Sequence, residues 1–188
     1  MARWQPGAPD RLKDAAMALF GERGYDQTTV ADIAQRADLT ERTFYRYFSD
    51  KREVLFDGGA ALEALMLEAV RAEPETASET ALLAAALEGL GGFFPADRRT
   101  FSRSRQQILD AEPALQEREM LKLARLTTAL ADALAERGVP ASRARLTAEL
   151  ALGVFRASFA QWIDAEPARD LVDIQREALA EWRSLAGS

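Results

Sequence analysis

Between Thr40 and Phe48 the chain reads Thr-Glu-Arg-Thr-Phe-Tyr-Arg-Tyr-Phe. At helical spacing Phe44 and Phe48, with Leu39 before them, fall on one side. Glu41, Arg42, Thr43, Arg46 and the hydroxyl ends of Tyr45 and Tyr47 fall on the other. The outward set has the chemistry that reads a duplex. An arginine can bond bidentately to guanine N7 and O6, a threonine offers a hydroxyl to phosphate or a methyl to thymine, and tyrosine hydroxyls reach phosphate oxygens. Lys51 and Arg52 follow in the first turn of the next expected helix, where positive charge opposes the macrodipole unless an anion such as a phosphate stands nearby. Two plainer readings compete. The basic residues can be a solvated face of a helical bundle, and Tyr45 and Tyr47 can be half-buried core aromatics with wet hydroxyls.

The elements that must hold these residues are legible from stops and caps. A first helix is expected over 10–23, with Leu12, Ala16, Leu19 and Phe20 on one face and Gly24 as its stop. Thr29 and Asp32 form a capping box ahead of Val30, Ile33, Ala34 and Ala37, which gives a helix of about two turns. The cap is also a complete structural explanation of Thr29. Asp38-Leu39-Thr40 then makes a tight turn in which Asp38 can adopt the left-handed conformation, and Thr40 caps the short helix over 41–47. Asp50 and Glu53 form a second box, expected to open a long fourth helix through Leu55, Leu62, Leu65 and Met66. Two-turn helices are not stable alone, so these must lean on one another. Two short helices joined by a three-residue turn and packed on an amphipathic helix make a helix-turn-helix, whose second helix is sized for the major groove.

At these residues the chain resembles the TetR family of bacterial transcriptional regulators. The likeness is carried by Leu19-Phe20-Gly21-Glu22-Arg23-Gly24-Tyr25, Thr28-Thr29-Val30-Ala31-Asp32-Ile33-Ala34, Thr43-Phe44-Tyr45-Arg46-Tyr47-Phe48 and Lys51 to Leu55, over about residues 10 to 56. The resemblance implies a homodimer with two recognition helices, an operator of inverted repeats in double-stranded DNA, and a helical C-terminal domain that binds a small-molecule effector and mediates dimerisation. It implies that Thr28 or Thr29, Tyr45, Tyr47 and Lys51 hold phosphates and that Glu41, Arg42, Thr43 and Arg46 read bases; Thr40, at the start of the helix, completes the DNA-binding set. Three positions depart from the family pattern: Asp38 stands where glycine is usual, Arg42 where a small residue is common and Tyr47 where histidine is frequent. The bulky Arg42, with Glu41 beside it, prevents an operator sequence from being borrowed.

Composition agrees with an ordinary globular chain. Of 188 residues, 48% are hydrophobic and 29% charged, which argues against disorder. Val and Ile are scarce beside Ala and Leu, and no stretch alternates, so the fold class is all-α with about nine helices. Cys and His are absent, which removes disulfides, zinc sites and the Ser-His-Asp triad; no metal, cofactor or enzymatic activity is expected. Charged residues interrupt every apolar run, and Met1 to Asp10 lacks an apolar leader, so the expected compartment is the cytoplasm, with no membrane partner. The net charge is −6. Nine of the basic and nine of the acidic residues lie in 1–56, so the excess of acid belongs to the remainder, and any surface for nucleic acid must be local.

Domains are therefore expected at 1–56, for DNA binding, and 57–188, for effector binding and dimerisation. The last two helices are the most apolar. Leu150, Val154 and Phe155 in the first of them, and Leu171, Ile174 and Trp182 in the second, are the candidates for a two-fold interface. Phe94, Phe101, Ile108, Phe159 and Trp162 are candidates for an effector cavity, with Arg105 and Arg156 as polar anchors, although an aromatic stripe also serves as plain core. Arg156, in an apolar helix, is expected to pair with Glu149 or another carboxylate, or with an acidic ligand. The alternative to a regulator is a helical interaction module that keeps the helix-turn-helix without binding an operator.

Overall fold

A computed structural model describes residues 7–186 of the chain; the stretch 1–6, part of the segment read as lacking a leader, lies outside the described residues. All regular structure among these residues is helical. The helices are α1 (Ala8–Arg23), α2 (Val30–Arg36), α3 (Glu41–Tyr47), α4 (Glu53–Phe56), α5 (Gly59–Ala72), α6 (Glu79–Gly92), α7 (Arg99–Ala111), α8 (Pro113–Glu136), α9 (Ala141–Asp164) and α10 (Leu171–Ala186), with one 3₁₀ turn at Ala96–Arg98. The all-α expectation holds, with one helix more than anticipated because the long fourth helix is two. Asp50 precedes it and accepts from the backbone N–H of Arg52 at 2.8 Å and of Glu53 at 3.2 Å, while the N-cap position itself is Arg52. The helix lasts one turn and stops at Asp57, before the adjacent Gly58 and Gly59, two residues of poor helix propensity. Lys51 consequently lies in a turn ahead of α4 rather than in a helical first turn.

The chain divides into two compact units. The first holds the residues up to Gly58 together with 104–117, and the second holds Gly59–Arg103 and the residues from Arg118 onward. The segment 104–117, which the sequence assigned to the C-terminal part, joins the first unit because Ile108, Leu109 and Leu115 pack with Leu12, Leu19, Phe20, Ile33, Phe44, Phe48 and Leu55 in one buried cluster. Local chemistry in this unit follows the sequence closely. Gly24 ends α1 at φ +86°, Asp38 sits at φ +54° in the turn, and Thr29 and Thr40 accept from the N–H groups of Asp32 and Thr43.

In the second unit α5, α6, α9 and α10 pack around a core that includes Leu62, Met66, Leu90, Leu130, Trp162, Leu171 and Ile174. Gly89 permits the approach of α5 to α6, since a Cβ there would stand 2.5 Å from the Leu65 carbonyl oxygen. The end of α9 has no glycine; Pro167 follows two residues after its C-cap Ala165. Its last carbonyls are held instead by α7: Arg99 Nε donates to Trp162 O at 2.9 Å, Arg103 Nε to Ile163 O at 2.7 Å, and Arg99 also bonds Ala165 O. A helix leaves four carbonyls without partners, and guanidinium groups are suited to bond them.

Candidate nucleic-acid interface

The helix α3 is anchored by Phe44 and Phe48, which are 0% and 3% exposed and meet with their rings tilted and centroids 5.4 Å apart. With that side fixed, Glu41, Arg42, Tyr45, Arg46 and Tyr47 are exposed, and Thr43 is half-buried with its hydroxyl 3.0 Å from that of Thr40. Neither Glu41 nor Arg42 makes an ion pair among the described residues, so both side chains are available to a partner. Arg46 is held to one side, with Nη2 3.0 Å from the Tyr47 hydroxyl and its guanidinium carbon 4.8 Å from the centre of that ring. Tyr45 and Tyr47 are 56% and 42% exposed, and the Tyr45 ring meets Phe44 edge-on at 5.6 Å.

Several residues that the sequence did not single out fix the orientation of α2 and α3. Arg11, on α1, bonds the carbonyls of Ala37 and Asp38, which brackets the turn. Glu22 accepts two bonds from Arg36 at 2.9 and 2.7 Å and ties α1 to α2. The guanidinium of Arg36 holds the Glu22 carboxyl below its ordinary pKa. Asp32 is held low as well, first by the Thr29 hydroxyl at 2.7 Å and then by the Thr29 N–H at 2.9 Å. Spacing signals the capping box; it carries no signal for Arg11 or for the Glu22–Arg36 bridge, whose partners are 14 to 27 residues apart.

Two expected phosphate residues are turned inward. Thr28 is 1% exposed and donates its hydroxyl to Gly24 O at 2.8 Å. Lys51 donates to Tyr25 O at 2.8 Å and Thr28 O at 3.1 Å, and its ammonium lies 4.1 Å from the Tyr25 ring centre. Burial pushes the Tyr25 hydroxyl up to about 12. Lys51 thus locks the α1–α2 connection, with one ammonium N–H beyond those two bonds.

Fitting a duplex requires a helix with several hydrogen-bonding side chains along one exposed side, and α3 exposes Glu41, Arg42, Tyr45, Arg46 and Tyr47. Residues 12–57 match the family model described as "Bacterial regulatory proteins, tetR family", and residues 78–186 match the one described as "MftR C-terminal domain". The chain belongs to the TetR family. Among curated relatives, the HTH-type transcriptional regulator TcmR of Streptomyces glaucescens is 37% identical over 65 residues, 35% of this chain and 29% of that protein. The biofilm operon negative transcriptional regulator IcaR of Staphylococcus aureus (strain Newman) is 38% identical over 45 residues, 24% of each chain. These likenesses therefore span less than a third of either relative. Over the whole fold, the Thermus thermophilus FadR, a TetR-family repressor solved with lauroyl-CoA, superposes with a TM-score of 0.56 at 26% identity, over 92% of this chain and 91% of that one. A TetR-family regulator from Syntrophomonas wolfei gives 0.69 at 17% identity, over 96% and 95%, which speaks for the fold.

The second unit gathers only part of the expected effector cavity. Phe94 stands 5.0 Å from Phe159, 5.9 Å from Phe155 and 5.9 Å from Trp162, centroid to centroid. Phe101 is 38% exposed. Arg105 and Ile108 belong to the first unit, where Arg105 Nε donates to Leu55 O at 2.7 Å and Ile108 is core. Arg156 is exposed and needs no internal carboxylate; Glu149 pairs with Arg145 at 2.9 Å instead. Of the expected interface residues, Val154, Phe155, Leu171 and Ile174 are buried in their own unit and have almost no surface left to give a second chain. Leu150 is half-buried and Trp182 is 40% exposed. Helical phase places Leu146, Gly153 and Ala157 beside Leu150, and Ala178 and Leu185 beside Trp182; Leu146 and Leu185 are 70% and 78% exposed.

Proposed function

We propose that this chain is a DNA-binding transcriptional repressor that occupies an inverted repeat as a homodimer and leaves it when a small molecule binds its second unit. The observation that carries the reading is the exposed side of α3, where Arg42, Tyr45, Arg46 and Tyr47 stand outward on a helix anchored by Phe44 and Phe48. Glu41 and Arg42 read bases, and the tyrosine hydroxyls and Thr29 hold phosphates. Lys51 acts mainly through the connection that it locks.

Dimerisation uses the outer faces of α9 and α10, with Leu146, Leu150 and Gly153 meeting Trp182 and Leu185 of a second copy. Exposed leucine and tryptophan on adjoining helices suit a four-helix interface. The effector releases DNA by no more than its preference for the non-binding conformation, typically about 1–3 kcal/mol. Repressor polarity is supported by the named role of the IcaR relative and of the Thermus protein.

The test is selection from a random duplex pool, followed by isotherms at two salt concentrations. Enrichment of an inverted repeat with half-sites about one helical turn apart, roughly 34–36 Å, is the expected result. Weak binding without enrichment would favour the interaction module. Leu146→Asp and Trp182→Asp should each yield monomer in sedimentation and lose palindrome binding.

A further inference from the structure

Four buried side-chain atoms have no hydrogen-bonding partner among the described residues: Ser158 Oγ, Trp162 Nε1, Gln175 Nε2 and Gln175 Oε1. The three residues are 1%, 0% and 1% exposed. Leaving such groups unpaired in a core is unfavourable, and natural cores rarely keep several together unless the groups have another use.

All three lie where α9 finishes and α10 starts. Ser158 and Trp162 lie one turn apart on the same side of α9, and α10 packs on both α9 and α6. Gln175 faces Gly91 of α6: a Cβ at position 91 would stand 2.4 Å from Gln175 Oε1 and 2.7 Å from Val172 Cγ2. Gly91 O accepts from the N–H of Phe94 at 2.9 Å, and the Phe94 ring is the one that meets Phe155, Phe159 and Trp162. Glycine at 91 therefore leaves room for the Gln175 carboxamide, whose donor and acceptor are both unpaired among the described residues, three residues before Phe94 and its cluster of rings.

We propose that Gln175, Trp162 and Ser158 are the polar contacts of the effector site, and that its ligand is a neutral cyclic amide, a lactam or imide, fused to an apolar ring. This rests on the effector-controlled reading above and gives it a ligand class. A primary carboxamide presents N–H and C=O on one edge, and the complementary edge is a cis-amide, which returns both bonds. The Trp162 N–H can donate to the second lone pair of the same ligand carbonyl, and the Ser158 hydroxyl bonds a further polar substituent. The ligand is neutral because desolvating a full charge among these rings would be far more unfavourable. Its flat apolar body stacks on Phe94 and Phe159.

The test uses the full chain, with 2-quinolinone as the lactam, naphthalene as the ring without the amide and 2-naphthoate as the charged analogue. The indole N–H of Trp162, assigned by its loss in Trp162→Phe, is followed in ¹H–¹⁵N spectra. A downfield shift with 2-quinolinone and none with naphthalene or 2-naphthoate is expected. Gln175→Met should weaken that binding at least tenfold while raising Tm by roughly 2–5 °C, because it removes two unpaired buried atoms at nearly constant volume. Gly91→Ala, which pushes on the carboxamide, should also abolish binding. The assignment is overturned if no probe moves the Trp162 signal, if naphthalene binds as well as 2-quinolinone, or if Gln175→Met lowers Tm and leaves binding unchanged. Binding of 2-quinolinone with no change in operator affinity would keep the site and reject effector control; loss of operator recognition in the ligand-free chain would reject the regulator reading alone.

Discussion

The outer face of α3 and the buried end of α9 treat polar groups in opposite ways. On α3 the polar side chains are exposed, while Phe44 and Phe48 secure the helix beneath them. On α9 and α10, Ser158, Trp162 and Gln175 carry their polar atoms into the core and leave them unpaired. Each region departs from what stability alone would select, one by keeping a short helix in place through its neighbours and the other by accepting desolvated donors and acceptors. Functional positions are where such departures are expected. The difference is that the first departure lies on a surface scaffolded by local rules, whereas the second depends on which helices meet.

The largest effect that would sharpen this contrast is Phe44→Ala. Deleting a fully buried aromatic should destabilise the first unit by about 3–5 kcal/mol and abolish duplex binding. Denaturant unfolding followed by hydrogen exchange should show protection lost in α1–α3 ahead of α9 and α10; equal loss in both would break the comparison. Lys51→Ala comes next. Hydrogen bonds from a charged donor are worth about 1.5–3 kcal/mol, so the variant should lose stability without DNA present. An unchanged Tm together with a salt slope reduced by about one would return Lys51 to the phosphate contacts.

Arg42→Ala should cost about 1–3 kcal/mol of operator binding and relax preference at one base pair per half-site. Isotherms against single-base operator variants check this, and uniform weakening would count against base reading. The smallest effect concerns the cap of α2. Asp32 is held below its ordinary pKa by Thr29, so its stabilisation is present above the ordinary aspartate value of about 3.9 and is lost as the pH falls through the lowered one. Asp32→Asn should melt below the parent at neutral pH, and the gap should close in acid; a gap that is constant with pH would remove the carboxylate from the account.

What could be read from the chain follows the same division. Gly24, Asp38, the Thr29–Asp32 box and the Thr40 cap act within a few residues of themselves, so spacing located α1, α2 and α3 and the exposed face of α3. The fourth helix misleads because Asp50 does accept from the first N–H groups, while the helix ends at Asp57 after one turn and α5 begins afresh at Gly59. Lys51 was read by type as a phosphate ligand, and its bonds to Tyr25 O and Thr28 O lie 26 and 23 residues back, which no local pattern reports. In the second unit periodicity located α9 and α10. It cannot tell which apolar residues close the chain's own core, so periodicity alone assigns Leu171 and Ile174 to an interface. Gln175 could have been noticed as an amide inside the apolar stripe of α10.

The manner in which α9 ends bears on the order of synthesis. A helix stopped by its own glycine carries that stop wherever the segment goes, but the last turn of α9 is finished by Arg99 and Arg103, 60 to 66 residues upstream. On a ribosome those arginines emerge well before Asp164, so the groups that close the helix are already outside when its final residues appear. A fragment beginning at α8 would make the same helix with a frayed end.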